Sequence, residues 1–117
     1  MIAHVILFRP KPELTAAERK GILDALSSAA SVIPGIQRLR IGRRLRHGVP
    51  GYEQAMREDY EYLLMIEVED MEALKAYLRH PSHLALGRHF SESAAAALAY
   101  DYEIVDGGEA TGLVDSR

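Results

Sequence analysis

Two stretches limit what this chain can become, because each is apolar on both sides of an extended backbone. Ile2 to Phe8 is apolar at every position but one. Successive side chains of a strand point to opposite faces, so Ile2, His4, Ile6 and Phe8 share one side and Ala3, Val5 and Leu7 the other. His4 is then a polar ring in an apolar row. Asp59 to Val68 repeats the pattern: Tyr60, Tyr62, Leu64, Ile66 and Val68 lie on one face, and Leu63 and Met65 sit between Glu61 and Glu67 on the other. A strand that is apolar on both faces reads as buried on both, and its sheet needs two covers.

The segments between supply the first cover. Thr15-Ala16-Ala17-Glu18 is a capping-box pattern. The helix it opens carries Ile22, Leu23, Leu26, Ala29, Ala30 and Ile33 as one apolar stripe, and Pro34-Gly35 stops it. Ile36 to Leu45 alternates Leu39, Ile41 and Leu45 with Arg38, Arg40 and Arg44, a strand with one wet face and a bulge expected at Gly42. Arg46 to Glu58, with Gly48, Pro50 and Gly51, reads as a long mobile loop. Asp70 is placed to cap a helix bearing Met71, Leu74, Tyr77 and Leu78. After Pro81, an alanine-rich helix bearing Leu84, Leu86, Phe90 and Leu98 is expected, weakened at Gly87 and Ser91–Ser93. A last strand follows, with Tyr100, Tyr102 and Ile104 alternating with Asp101 and Glu103.

The order β-α-β-β-α-β predicts an α+β, ferredoxin-like domain: a four-stranded antiparallel sheet with its helices on one face. Residues 1–106 form that domain, and 107–117 are expected to be a frayed polar tail. The face away from the helices stays apolar, and a large exposed apolar patch is unusual in a soluble monomer. The simplest second cover is another copy of the chain, packed sheet to sheet about a two-fold axis, giving a homodimer with a barrel-like core.

Composition narrows the chemistry. The 117 residues contain no cysteine, which removes disulfides, thiol catalysis and iron–sulfur ligation. The net charge of -3 gives nothing to attract nucleic acid in bulk. The cluster Arg38, Arg40, Arg43, Arg44 and Arg46 reads as a solvated strand face. No apolar run reaches the roughly 20 residues that span a bilayer. Met1 leads directly into a strand-like segment, so no leader peptide is expected and the cytoplasm is the default compartment.

The polar groups with useful chemistry gather at Tyr77-Leu78-Arg79-His80-Pro81-Ser82-His83. The ring of Pro81 pushes His80 out of helical conformation, and a proline suits the first position of a new helix. His80 is expected to tie this break to nearby backbone and to border a ligand. His83 falls in the first turn of the new helix, where the dipole disfavours an imidazolium; a neutral ring is what a general base needs. Tyr77, six residues earlier, is placed to share a cavity with it as a donor. Each also has an ordinary reading: His83 packed with a ring N–H on a backbone carbonyl, Tyr77 in the core, and His4 a satisfied core histidine. Tyr62 is the tyrosine of the aromatic rows best placed to line a pocket. His80, His83 and His89 do not suggest a metal site, because Pro81 breaks their helical spacing and no carboxylate follows at i+3 or i+4.

His4-Val5-Ile6-Leu7-Phe8, Ile33-Pro34-Gly35-Ile36, Tyr77 with His80-Pro81-Ser82-His83, and Tyr100-Asp101-Tyr102 together resemble the Dabb family, the stress-responsive dimeric α/β barrel proteins. The resemblance runs from Met1 to about Asp106. It implies a ferredoxin-like fold and a homodimer joined through its sheets; no cofactor is expected. One branch contains plant polyketide cyclases, which close a linear polyketide by an intramolecular aldol step. By that resemblance His83 matches the general base, Tyr77 the residue that holds or polarises the reacting oxygen, and His4 a histidine lining the pocket. Two positions depart from the branch: Tyr62 stands where the cyclases have a pocket histidine, and Leu26 where they have a pocket tyrosine.

Two readings follow. One is a homodimer that binds a small, largely apolar molecule between helices and sheet and, if an enzyme, acts as a cofactor-free cyclase, isomerase or lyase through His83 and Tyr77. A cofactor-independent oxygenase is a variant of it, by analogy with other dimeric barrels. The other is a stress-associated structural protein whose pocket is filled by side chains. An open cavity faced by both rings separates the first from the second.

Overall fold

The computed structural model describes residues 1–52 and 58–115. The chain folds as β1 (Ile2–Pro10), α1 (Ala16–Val32), β2 (Ile36–Arg43), β3 (Tyr62–Val68), α2 (Met71–Arg79), α3 (Pro81–Ser93) and β4 (Ala94–Glu103). A 3₁₀ turn at Gly107–Glu109 and a one-turn helix, α4 (Gly112–Asp115), follow. The strands form one antiparallel sheet in the order β2-β3-β1-β4. This is the α+β, ferredoxin-like arrangement, with its second helix divided into α2 and α3 at the proline.

Local chemistry sets the helix limits. The Thr15 hydroxyl accepts from Glu18 N–H while the Glu18 carboxylate accepts from Thr15 N–H, so both arms of the capping box are made. Hydrogen bonding to Thr15 holds the Glu18 carboxyl below its ordinary range. Gly35, at a φ of 89°, takes the left-handed turn that passes the chain from α1 to β2.

The main core lies between helices and sheet. Ile22, Leu26, Ala29 and Ile33 of α1 and its C-cap meet Phe8, Leu64, Ile66 and Val68 of the sheet, with Leu74 and Tyr77 from α2 and Leu86 from α3. The two central strands, β1 and β3, are thus covered on this side as their pattern requires.

Several boundaries differ from the sequence reading. The alanine-rich segment leaves the helix after Ser93, and Ala94 to Leu98 are strand rather than helix. Alanine has high helix propensity, but pairing along β1 overrides it, with Ala97 opposite Phe8 and Ala99 opposite Ile6. Small side chains there leave room beside the large ones of β1. The third strand begins at Tyr62 rather than Asp59, since Asp59 is held by Arg44 and Arg46 at the strand's mouth. The second strand ends at Arg43, and its irregularity falls at Gln37, between Ile36 and Arg38. Gly42 pairs in register with Leu63. Of the loop expected from Arg46 to Glu58, residues 53–57 lie outside the described residues. Arg38 pairs with Glu67, so the arginine cluster is partly neutralised by neighbouring strands.

Candidate functional site

The helix break between α2 and α3 builds the site. His80 is extended at φ -66°, ψ 138°, ends α2 and caps α3. Its Nδ1 accepts from Ser82 N–H at 3.1 Å, satisfying one of the free donors of the new helix. The break also leaves the last carbonyls of α2 without intrahelical partners. One of them, Leu78 C=O, accepts from His83 Nδ1–H at 3.0 Å. A carbonyl cannot donate, so this bond fixes the tautomer and leaves Nε2 of His83 as a bare acceptor.

His83 and Tyr77 stand together, with ring centroids 4.7 Å apart. Both line a cavity of about 170 Å³ between helices and sheet. The other walls are apolar and include Ile6, Leu26, Leu64, Leu86 and Phe90, with Ala97 and Ala99 from β4. Burial lowers the pKa of His83 below its ordinary value, opposed by the bond to Leu78 and helped by nearby His4. The ring is therefore neutral at pH 7. Burial, reinforced by the carboxylate of Asp101, pushes the phenol of Tyr77 up to about 12. That hydroxyl stays protonated and serves as a donor.

His4 is the third polar group. It is 4% exposed, and its ring lies 5.3 Å from that of Tyr77 and 6.2 Å from that of His83. Its Nδ1 is 2.6 Å from Oδ1 of Asp101, its direct cross-strand partner on β4. Nε2 of His4 is buried and has no partner among the described residues. The Asp101 side chain is 41% exposed, so the pair runs from the protein surface into the core.

The structure thus brings His4, Tyr77 and His83 together and sets the other two predicted residues apart. Tyr62 stacks on Phe8 at 5.3 Å, and Phe8 meets Phe90 edge-on at 4.9 Å; that stack borders the cavity only through Phe90. His80 acts as the helix cap. Among the described residues no three His, Cys, Asp or Glu side chains cluster as metal ligands would. Asp101 is the residue that sequence reasoning passed over. In the sequence it stands only as an alternating position of the last strand and within the Tyr100-Asp101-Tyr102 motif, and only the pairing of β4 with β1 sets it against His4.

The ferredoxin-like fold of this chain is shared with other proteins. The sequence profile of the stress responsive A/B barrel domain, Dabb, matches residues 2–104, and the chain belongs to that family. Olivetolic acid cyclase from Cannabis sativa is 21% identical over 101 residues, covering 86% of this chain and 94% of the cyclase. A dimeric ferredoxin-like protein of unknown function from Thermobifida fusca superposes with a TM-score of 0.70 at 21% identity, over 88% of this chain and 90% of that one. Hydroxynitrile lyase from Passiflora edulis superposes with a TM-score of 0.78 at 13% identity, over 90% and 94%. No helix among the described residues is long and apolar enough to cross a membrane.

Proposed function

We propose that this protein is a homodimer that binds a small, largely apolar carbonyl compound between helices and sheet and acts on it without a cofactor. The observation that carries the reading is the pairing of a bare imidazole acceptor and a protonated phenol on one apolar cavity. Nε2 of His83 takes a proton from a carbon beside a carbonyl. The charge that develops on the carbonyl oxygen is met by the Tyr77 hydroxyl in surroundings of low dielectric. Return of the proton from His83 to another carbon completes an isomerisation; its delivery to a new alkoxide completes an aldol closure. The reverse of such a step is a lyase reaction. That a cyclase and a lyase stand among the similar proteins supports this class of chemistry.

The cavity favours this reading over a filled structural core. An apolar cavity of about 150 Å³ takes up benzene, so one of about 170 Å³ has room for a single substituted ring. The dimer is supported by the open face of the sheet, where Leu98, Tyr100 and Tyr102 stay exposed on the isolated chain, and by the dimeric relative from Thermobifida fusca.

Deuterium exchange into the methyl group of acetophenone, followed by proton NMR in D₂O, tests the base. The protein should accelerate exchange, and His83→Ala should reduce that acceleration by about 100-fold or more, the usual scale for a general base. Exchange unaffected by the protein, or unaffected by His83→Ala, contradicts the assignment.

A further inference from the structure

The cavity is open along one side, and small residues border the opening. β4 is an edge strand that pairs with β1 alone. Ala97, Ala99 and Asp101 stand opposite Phe8, Ile6 and His4 and so share their helix-facing side. Phe8 and His4 are almost wholly buried there, while Ala97, Ala99 and Asp101 are exposed. The helices thus cover β1 and stop short of β4. On the helix side of the gap, Gly87 follows His83 by about one turn, lines the same cavity and is exposed. A Cβ added at Gly87 would meet no neighbouring element within 4 Å. Three residues with little or no side chain therefore border a slot that joins the cavity to solvent, and a larger side chain at any of them would narrow it. The slot lies on the helix side of the sheet, so a second copy packed on the opposite face leaves it open.

We infer that the ligand is longer than the cavity: its carbonyl end lies inside against His83 and Tyr77, and a substituent leaves through the slot between α3 and β4 into water. Gly87, Ala97 and Ala99 are then the residues that decide which substituents pass. This rests on the reading of the cavity as the site of a carbonyl compound and adds the shape of that compound. A space of about 170 Å³ is filled by a single ring, so any longer ligand must project from it. An aryl ketone whose carbonyl meets His83 and Tyr77 points its para position away from both, and the slot that begins one turn along α3 gives that substituent a way out. The walls of the slot are apolar and its outer end is wet. They suit an apolar stem with a polar end, as a long amphipathic side chain lies along apolar surface with its head in water.

Two probes test this: acetophenone, which fits inside, and acetophenone carrying, para to its acetyl group, a long alkyl ether ended by a carboxylate. A carboxylate is costly to bury in an apolar cavity, so the second probe is accepted only if its end reaches water. The wild-type protein should accelerate deuterium exchange into the methyl groups of both ketones. Ala99→Leu and Gly87→Leu, each checked for folding by circular dichroism, should lower the rate for the long ketone relative to acetophenone. The expected fall is about 10-fold or more, the scale on which added methylenes discriminate in an apolar pocket. Ala97→Leu takes the place of either variant that folds poorly. Exchange of acetophenone without exchange of the long ketone overturns the inferred exit and leaves the base assignment standing. So does a long-to-short ratio that is unmoved in the folded variants. Exchange of neither ketone overturns both.

Discussion

The two faces of the sheet are built from the same four strands and solve different problems. The helix-facing side holds Phe8, Leu64, Ile66 and Val68, each almost wholly buried by the chain's own helices. The opposite side holds Val5, Leu7, Leu63 and Met65, half-buried, with Leu98, Tyr100 and Tyr102 exposed along β4. On the first side, neighbours are fixed by the chain itself, and a cavity lined by the rings of Tyr77 and His83, with His4 beside them, is held inside. On the second, the apolar content exceeds what the chain covers, and the charged residues of its strands are Arg38 and Arg40 at the β2 edge, Glu67 on β3 and Arg9 at the end of β1. Polarity placed inside a covered face points to chemistry; apolarity left on an uncovered face points to association.

Substitutions on the two faces should separate these roles. Phe8→Ala, on the covered side, removes a ring packed against Tyr62 and Phe90. It should destabilise the fold by about 3–5 kcal/mol, read from urea denaturation. Met65→Asp, on the open side, should leave the circular dichroism of the chain intact. It should weaken self-association by roughly 30-fold, equivalent to about 2 kcal/mol for a central interface residue. A Met65→Asp chain as strongly dimeric as wild type would erase the contrast between the faces. His80→Ala should cost about 1 kcal/mol through loss of the α3 cap, and should loosen His83 without touching the dimer.

The smallest expected effect is one of pH. The folded chain holds His83 at a lowered pKa, so the unfolded chain binds the proton more readily. The stability that His83 contributes is complete above its unfolded pKa, near 6.5, and is lost as pH falls through the lower folded value. Urea midpoints should therefore decline with acidification below about pH 6.5, and His83→Gln should flatten that decline. A decline unchanged in His83→Gln would assign it to other groups.

The sequence made the covered face legible because its signals are local. Alternation through Ile2–Phe8, the capping box at Thr15 and the break at Pro81 each depend on residues a few positions apart. The same holds for His83 in the first turn after the break. What escaped depends on partners distant in sequence. Ala94–Leu98 looks helical until β1 is set beside it, because alanine's preference is weak against a strand's cross-strand bonds. The bulge at Gln37 carries no glycine to mark it, and Gly42 drew attention without cause. Asp101 became part of the site only through its register with His4, and Tyr62 left the cavity's edge because Phe8 captured its ring.

The claim that the uncovered face meets a second copy is tested most directly by sedimentation equilibrium of the wild-type chain at micromolar concentration. A single species of twice the 13.0 kDa chain mass is the expected result. A stable species of one chain mass, with Tyr100 and Tyr102 left in water, would contradict it.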